Sequence, residues 1–274
     1  MEFEGTARYY LDPELGAIVN MAMVMEKPLL LTGEAGTGKT QLAFEISRSL
    51  GMPIEVLRCK STIKGEEACY VQDTVLRLND ARFGTAATGR DVNNFFDYVI
   101  WGPIGRAFRS EQRVVLLLDE IDKTESDVQD NLLDVLEDCQ FTIREVNETV
   151  SARVRPVIVI TSNAKRELSD PFLRRCYCHP ISFPAPSQMR EIVKLHFPDL
   201  EAGLLDAALG IFYELRARGY EKPPATSELL NWLGALDHAR VTPDKLNVPF
   251  VGTLLKRTED ILAYRSGGRR AKVN

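Results

Sequence analysis

Gly33-Glu34-Ala35-Gly36-Thr37-Gly38-Lys39-Thr40 follows the pattern G-x-x-x-x-G-K-[ST]. It lies between an apolar run, 28–32, and a helical pattern, 41–50, which is where a phosphate-binding loop has to sit. The glycines let the backbone curl so that successive N–H groups point at phosphate oxygens, and the following helix adds its positive N-terminal end. In that reading Lys39 reaches the β- and γ-phosphates and Thr40 holds Mg²⁺ through its hydroxyl. Gln41, which opens the helical pattern, counts with the loop as a nucleotide contact. The bland alternative is a glycine-rich turn that spells the motif by chance, and the flanking strand and helix weigh against it.

Outward from the loop, short β-rich apolar runs at 28–32, 54–59, 114–118, 157–161 and 180–183 alternate with helical patterns. Such alternation predicts an α/β fold, a parallel sheet wrapped by helices. The long interval 60–113 holds a predicted helix (65–81), a polar Gly/Thr/Asn segment (84–94) and the turn Gly102-Pro103-Ile104-Gly105. An interval of this length in a compact domain usually carries function. Residues 141–144 and 149–155 read as a hairpin before the fourth strand. After Pro184-Ala185-Pro186 the β-rich runs stop, and helical patterns follow at 187–197, 201–218, 227–239 and 253–264. The expected organisation is an α/β nucleotide-binding domain over 1–185, a small helical lid over 186–264 and a disordered tail over 265–274. Ser266-Gly267-Gly268-Arg269 resembles the signature of transporter ATPases but reads as tail.

With 34 basic and 39 acidic residues among 274, the net charge of -5 argues against a general nucleic-acid binder, leaving open only a local basic channel. No apolar stretch approaches the roughly 20 residues of a membrane span, and Met1-Glu2-Phe3-Glu4 does not read as a signal peptide. The expected location is the cytoplasm. Cys59, Cys69, Cys139, Cys176 and Cys178 are odd in number and scattered, which fits reduced thiols. Cys176-Tyr177-Cys178-His179 offers three ligating side chains in four residues. With no fourth ligand at zinc spacing and strand-like alternation around it, packing is the preferred reading.

Val114-Val115-Leu116-Leu117-Leu118-Asp119-Glu120 reads as a buried strand ending in two carboxylates, the expected second half of a hydrolase site. Asp119 would steady Mg²⁺ through its water shell, and Glu120 would orient and polarise the attacking water. Asn163 ends the run 157–161 two residues on, where an amide can hydrogen-bond both γ-phosphate and water. Asn163-Ala164-Lys165-Arg166 does not supply the Asn-Lys-x-Asp base-reading motif of a GTPase. Leu173-Arg174-Arg175-Cys176 places two guanidiniums on the way into the last strand.

Taken together, these motifs resemble an AAA+ ATPase, and within that class the MoxR family. The matching pieces are Lys27-Pro28-Leu29-Leu30-Leu31-Thr32-Gly33, the phosphate loop, Gly102-Pro103-Ile104-Gly105-Arg106-Ala107-Phe108, Leu118-Asp119-Glu120-Ile121-Asp122-Lys123, Thr161-Ser162-Asn163 and Phe172-Leu173-Arg174-Arg175-Cys176. With their flanks they cover about residues 10–240. Arg58-Cys59-Lys60-Ser61-Thr62 and the Arg-Arg-Cys wording are similar to the branch encoded beside von Willebrand A-domain partners, including those linked to CO dehydrogenase maturation.

The resemblance implies a ring, usually a hexamer, with ATP between subunits. Arg175 would be the arginine finger reaching the neighbour's γ-phosphate, with Arg174 in reserve. It maps residues 140–154 to a pre-sensor hairpin and the long interval to a pore-facing insertion. It also places Tyr10 and Leu11 near the adenine, upstream of the first strand. One departure stands out: Pro224-Ala225-Thr226-Ser227-Glu228 lacks the sensor-2 arginine that family members often carry at the start of the third lid helix. Either another residue such as Arg216 or Arg218 substitutes, or this branch works without it. The functional expectation is an Mg²⁺-dependent ATP hydrolase remodelling a protein client, with a von Willebrand A-domain adaptor and a metalloenzyme as partners. A nucleic-acid translocase using Lys60, Lys64, Arg77, Arg82 and Arg90 is the alternative, and a nucleotide-gated scaffold without turnover is disfavoured by the intact Asp119-Glu120 pair.

Overall fold

In the computed structural model, which describes residues 2–85 and 88–267, the apolar runs at 28–32, 54–59, 114–118 and 157–161 each pair with strands remote in sequence. In chain order the elements are α1 (Pro13–Val24), β1 (Leu29–Thr32), α2 (Lys39–Leu50), β2 (Ile54–Arg58), α3 (Gly65–Cys69), β3 (Tyr70–Gln72) and α4 (Thr74–Phe83). There follow β4 (Val99–Trp101), α5 (Pro103–Arg109), β5 (Val115–Asp119), α6 (Ser126–Asp138), β6 (Gln140–Ile143), β7 (Glu148–Ser151), β8 (Val157–Ser162), α7 (Asp170–Arg175) and β9 (Tyr177–Pro180). The helices α8 (Pro186–His196), α9 (Ala202–Ala217), α10 (Thr226–His238) and α11 (Thr258–Arg265) complete the chain.

The main sheet has the order β2-β5-β8-β1-β9 and is parallel throughout. It is the P-loop AAA+ arrangement. The register sets Leu29 beside Val159 and Val115 beside Val157, so β8 lies between β5 and β1. All six residues of β8 are buried, as a strand covered on both faces demands. The carboxyl ends of β5, β8 and β1 therefore sit side by side, at the edge where open α/β sheets bind ligands.

The chain divides into two units. The first comprises residues up to Gly5, Leu11–Gly33 and Lys39–Pro180, and the second Thr6–Tyr10, Glu34–Gly38 and residues from Ile181 on. In the first, α1 is a helix that the sequence reading passed over. Asp12 caps it by accepting from Glu14 N at 3.0 Å, Pro13 opens it, and Leu15, Val19, Ala22 and Met23 bury one face. In the second, α8, α9, α10 and the loops around them pack on Trp232, Phe212 and Leu233, and Trp232 Nε1 donates to Pro249 O at 2.7 Å. Arg265 closes α11 rather than opening a tail. Of the expected disordered segment, 268–274 lies outside the described residues, and with it Gly268 and Arg269.

The expected strand at 180–183 forms earlier, as β9. Tyr177 N donates to Pro28 O at 2.8 Å, and Pro180 has no N–H with which to prolong the ladder. The expected helix 65–81 breaks into α3, β3 and α4, because Tyr70 and Gln72 pair antiparallel with Trp101 and Val99 and Asp73 caps a new helix through Leu76 N. Gly102-Pro103-Ile104-Gly105 is not a turn but the start of α5, with Pro103 at its first position and Ile104, Ala107 and Phe108 in the core.

The glycines of α5 allow α3 to come close. A Cβ at Gly105 would stand 2.1 Å from Cys69 O and one at Gly102 2.4 Å from Ala68 O. Gly105→Ala is expected to lower the unfolding free energy by about 1–3 kcal/mol or more through overpacking against backbone. Urea denaturation measures it, and an unchanged midpoint would mean that α3 yields freely.

Candidate nucleotide site

The phosphate loop takes the conformation that its glycines permit: φ is 146° at Gly33, 81° at Gly36 and 91° at Gly38. Thr37 Oγ1 donates to Glu34 O at 3.0 Å inside the loop, and Ala35 is exposed at its tip. Lys39 begins α2 and is 5% exposed, and its Nζ donates to Gly33 O at 2.8 Å. Gln41 points along α2 instead, donating to the buried Glu45 at 2.6 Å. Of the segment upstream of β1, Tyr9 is the side chain set against the loop. A Cβ at Gly38 would lie 3.4 Å from its ring, whereas Leu11 packs on Gly16 of α1 and Tyr10 is half-buried. Only the fold separates Tyr9 from its neighbour Tyr10.

At the strand ends, Asp119 Oδ1 accepts from Thr40 Oγ1 at 2.6 Å and from Thr161 Oγ1 at 2.8 Å. Thr161 also accepts from Glu120 N at 2.9 Å, so one buried hydroxyl fixes both carboxylate residues. Glu120 adopts a left-handed conformation, φ 59° and ψ 53°, a strained state for a residue with a Cβ. Its carboxylate accepts from Asn163 Nδ2 at 2.8 Å and pairs with Lys123, whose pKa is raised chiefly by that hydrogen bond. Asp122, 2% exposed, accepts from Asn163 N at 3.1 Å and Lys165 N at 3.3 Å, anchoring the turn that aims Asn163. Thr161, Asp122 and Lys123 escaped the sequence reading as functional residues. The nearest signal was their place beside Asn163 and Glu120 in the two strand-end motifs.

Thr40 and Asp119 present a hydroxyl and a carboxylate in direct contact, a hard oxygen set that fits Mg²⁺. Cys59 stands behind these carboxylates. Burial, then Asp119, Asp122 and Glu120, push its thiol up to about 12, which keeps it neutral. Cys176 is likewise held to about 12 by burial, while Cys178 is exposed on β9; among the described residues no three metal-ligating side chains gather.

Arg175 Nη1 bonds Asp134 at 2.6 Å and its Nε bonds Glu137 at 3.0 Å, both on α6 of its own chain. Arg174 is exposed and, among the described residues, without such a partner. Arg218 is engaged by Glu214 and lies over the Tyr264 ring.

A family profile described as the AAA domain of the dynein-related subfamily matches residues 28–176, the span that contains the loop, both strand-end motifs and the arginine pair. The chain belongs to this AAA family. Membership implies nucleotide binding and, in general, ATP hydrolysis, with rings as the common assembly. A mutant of Thermotoga maritima RuvB is similar with a TM-score of 0.55 and 19% identity, over 88% of this chain and 70% of the other. A second RuvB mutant gives 0.53 and 17%, over 87% and 70%. At these identities the likeness is one of fold. Comparison with curated proteins gives no match. No helix among the described residues is long and apolar enough to cross a membrane.

The double role of Thr161 in this AAA chain is open to test. Thr161→Val keeps the shape but leaves the half-buried Glu120 N–H without its acceptor, a cost of about 1–3 kcal/mol. Lower stability in urea and slower phosphate release are expected, with nucleotide binding through the Lys39 loop retained. Wild-type values for both stability and turnover would remove Thr161 from the site.

Proposed function

We propose that this AAA protein is an Mg²⁺-dependent ATP hydrolase of MoxR type. Its ring remodels a protein client, assisting cofactor insertion or activation of a metalloenzyme together with a von Willebrand A-domain partner. The observation that carries the hydrolase is the junction at the ends of β1, β5 and β8, where Asp119 joins Thr40 to Thr161 and Glu120 is held by Asn163. The client and partner rest on the resemblance of the strand-end, Arg-Arg-Cys and Arg58-Cys59-Lys60 motifs to the MoxR family.

In this mechanism the loop N–H groups and Lys39 bind the phosphates. Thr40 and Asp119 would hold Mg²⁺, which would supply positive charge against the phosphates. Glu120 accepts a proton from the attacking water, and Asn163 holds the carboxylate and senses the γ-phosphate. Arg174 and Arg175 act in trans on a neighbouring subunit's phosphate. Arg175 would first have to leave Asp134 and Glu137, whereas Arg174 has no such partner among the described residues, which puts Arg174 in front of the expected Arg175.

A nucleic-acid motor is less well supported. Of the five cations available to it, Arg90 is committed to Asp80 and the Tyr98 ring, and Arg77 donates to Val92 O at 3.0 Å. Glu120→Gln is expected to bind ATP as wild type does and to lose most hydrolysis, since an amide cannot take the proton. Wild-type turnover in a phosphate-release assay would refute the role of Glu120. In the same assay on the wild type, strong stimulation by DNA or RNA that fades steeply with salt would favour the motor.

Arg174→Ala is expected to lose about 10³ to 10⁵ in rate with ATP binding retained. Mixed with Lys39→Ala it should regain activity, because some interfaces then pair an intact loop with an intact finger. No recovery despite demonstrated subunit exchange would rule out action in trans.

A further inference from the structure

Between Leu15 and Met25 the chain holds a single polar side chain, Asn20, so α1 has no polar face to turn to solvent. Asn20 is itself engaged, accepting from Phe3 N at 2.8 Å and donating to Phe3 O at 3.0 Å. One side of the helix meets the core through Leu15, Val19, Ala22 and Met23. The opposite side is open: Met21 is 53% exposed, Val24 74% and Met25 54%, and the exposed Ala17 stands one turn before Met21. Residues 17, 21, 24 and 25 follow the spacing i, i+4, i+7, i+8, which makes one stripe along the helix. Single exposed apolar side chains are ordinary, whereas a continuous apolar stripe marks an interaction surface.

The two ends of this stripe carry opposite charges. At the N-terminal end Glu14, one turn before Ala17, is exposed and pairs with no cation among the described residues. At the C-terminal end Arg113 Nη2 donates to Met23 O at 2.8 Å, its buried Nε has no acceptor, and no carboxylate pairs with it among the described residues. The neighbouring charges there are matched, Glu26 with Arg155 at 3.6 Å and Lys27 with Glu137 at 3.8 Å. A helix acidic at its head and cationic at its foot is complementary to itself turned end for end, and antiparallel pairing also sets each dipole against its opposite.

We propose that the outer face of α1 docks a second copy of this chain, α1 against antiparallel α1 about a twofold axis at Met21. In that register Met21 faces Met21 of the partner subunit, the small Ala17 faces the partner subunit's Met25, and Glu14 reaches the end of the helix where the partner's Arg113 lies. Methionines suit such a contact because their unbranched side chains adapt to one another. The contact is isologous and needs no nucleotide, so it differs from a head-to-tail ring and does not depend on the ATPase reading. Twelve residues make a helix about 18 Å long, too short to bury the roughly 800 Å² per partner of a stable dimer. The pairing is therefore weak, and repetition around a ring would strengthen it.

The test is sedimentation velocity on the nucleotide-free full chain from about 5 to 300 μM, the range in which so small a contact associates. Wild type is expected to pass from monomer to dimer across that range. Met21→Glu, which sets two like charges together on the axis, should weaken association about tenfold or more and leave the thermal unfolding of the monomer unchanged. Glu14→Lys should weaken it about threefold or more. Crosslinking reads the register. With the exposed Cys178 replaced by Ser, Met21→Cys should form a copy-to-copy disulfide under mild oxidation, since a residue on a twofold axis faces itself. Ala17→Cys and Met25→Cys should crosslink to each other when mixed and poorly when alone. If Met21→Glu does not fold, the Met21→Cys crosslink decides. A wild type monomeric throughout the range, association unchanged in Met21→Glu, or no Met21→Cys crosslink in a protein that associates would overturn the proposal. Association that appears only with ATP and is lost in Lys39→Ala would assign self-contact to the ring and overturn it equally.

Discussion

Asp119 Oδ1 accepts two hydroxyls from different elements, Thr40 from the helix after β1 and Thr161 from β8. Both bonds exist because the parallel register inserts β8 between the strands bearing the loop and the carboxylates. A one-residue slip of β8 would turn Thr161 to the opposite face of the sheet and leave Glu120 N without its acceptor. Charge-assisted hydrogen bonds of this kind are roughly twice as strong as neutral ones, so the junction stabilises the geometry that it also defines.

Around that junction negative charge accumulates. Asp119, Glu120 and Asp122 occupy the end of one strand and the turn after it, and each is held by a different donor set: two hydroxyls, an amide with Lys123, and two backbone N–H groups. Their combined field, added to burial, suppresses ionisation of the Cys59 thiol. The left-handed backbone at Glu120 belongs to the same arrangement: strain at one residue, compensated by Thr161 and Asn163, holds the carboxylate beside the Asn163 amide.

The insertion after β2 has its own small system of order. Asp80, 8% exposed, accepts from Arg90 and from Tyr98 OH, and the Arg90 guanidinium lies over the Tyr98 ring. These contacts lower the Asp80 pKa, chiefly through the Arg90 hydrogen bond. They also withdraw Arg90 from any role as a free surface cation. The same substitution of internal pairing for apparent availability occurs at Arg175, whose guanidinium is shared between Asp134 and Glu137.

The sequence alone determined the elements whose chemistry is local. The loop spelled by Gly33 to Thr40, the buried runs that became β1, β5 and β8, and the hairpin over β6 and β7 all follow from turn residues and apolar patterning within a few positions. The placement of Asp119, Glu120 and Asn163 at strand ends was legible because each closes such a run. Tertiary structure decided what depends on partners far along the chain. β3 broke a predicted helix because its mate, β4, lies some thirty residues on, and no local pattern encodes that pairing. Tyr9 meets the loop at Gly38, Thr161 and Asp122 tie Asn163 to the carboxylates, and Arg216 reaches Glu34, for the same reason. A side chain's partner is set by where the fold carries it, and propensity along the chain carries no record of that distance.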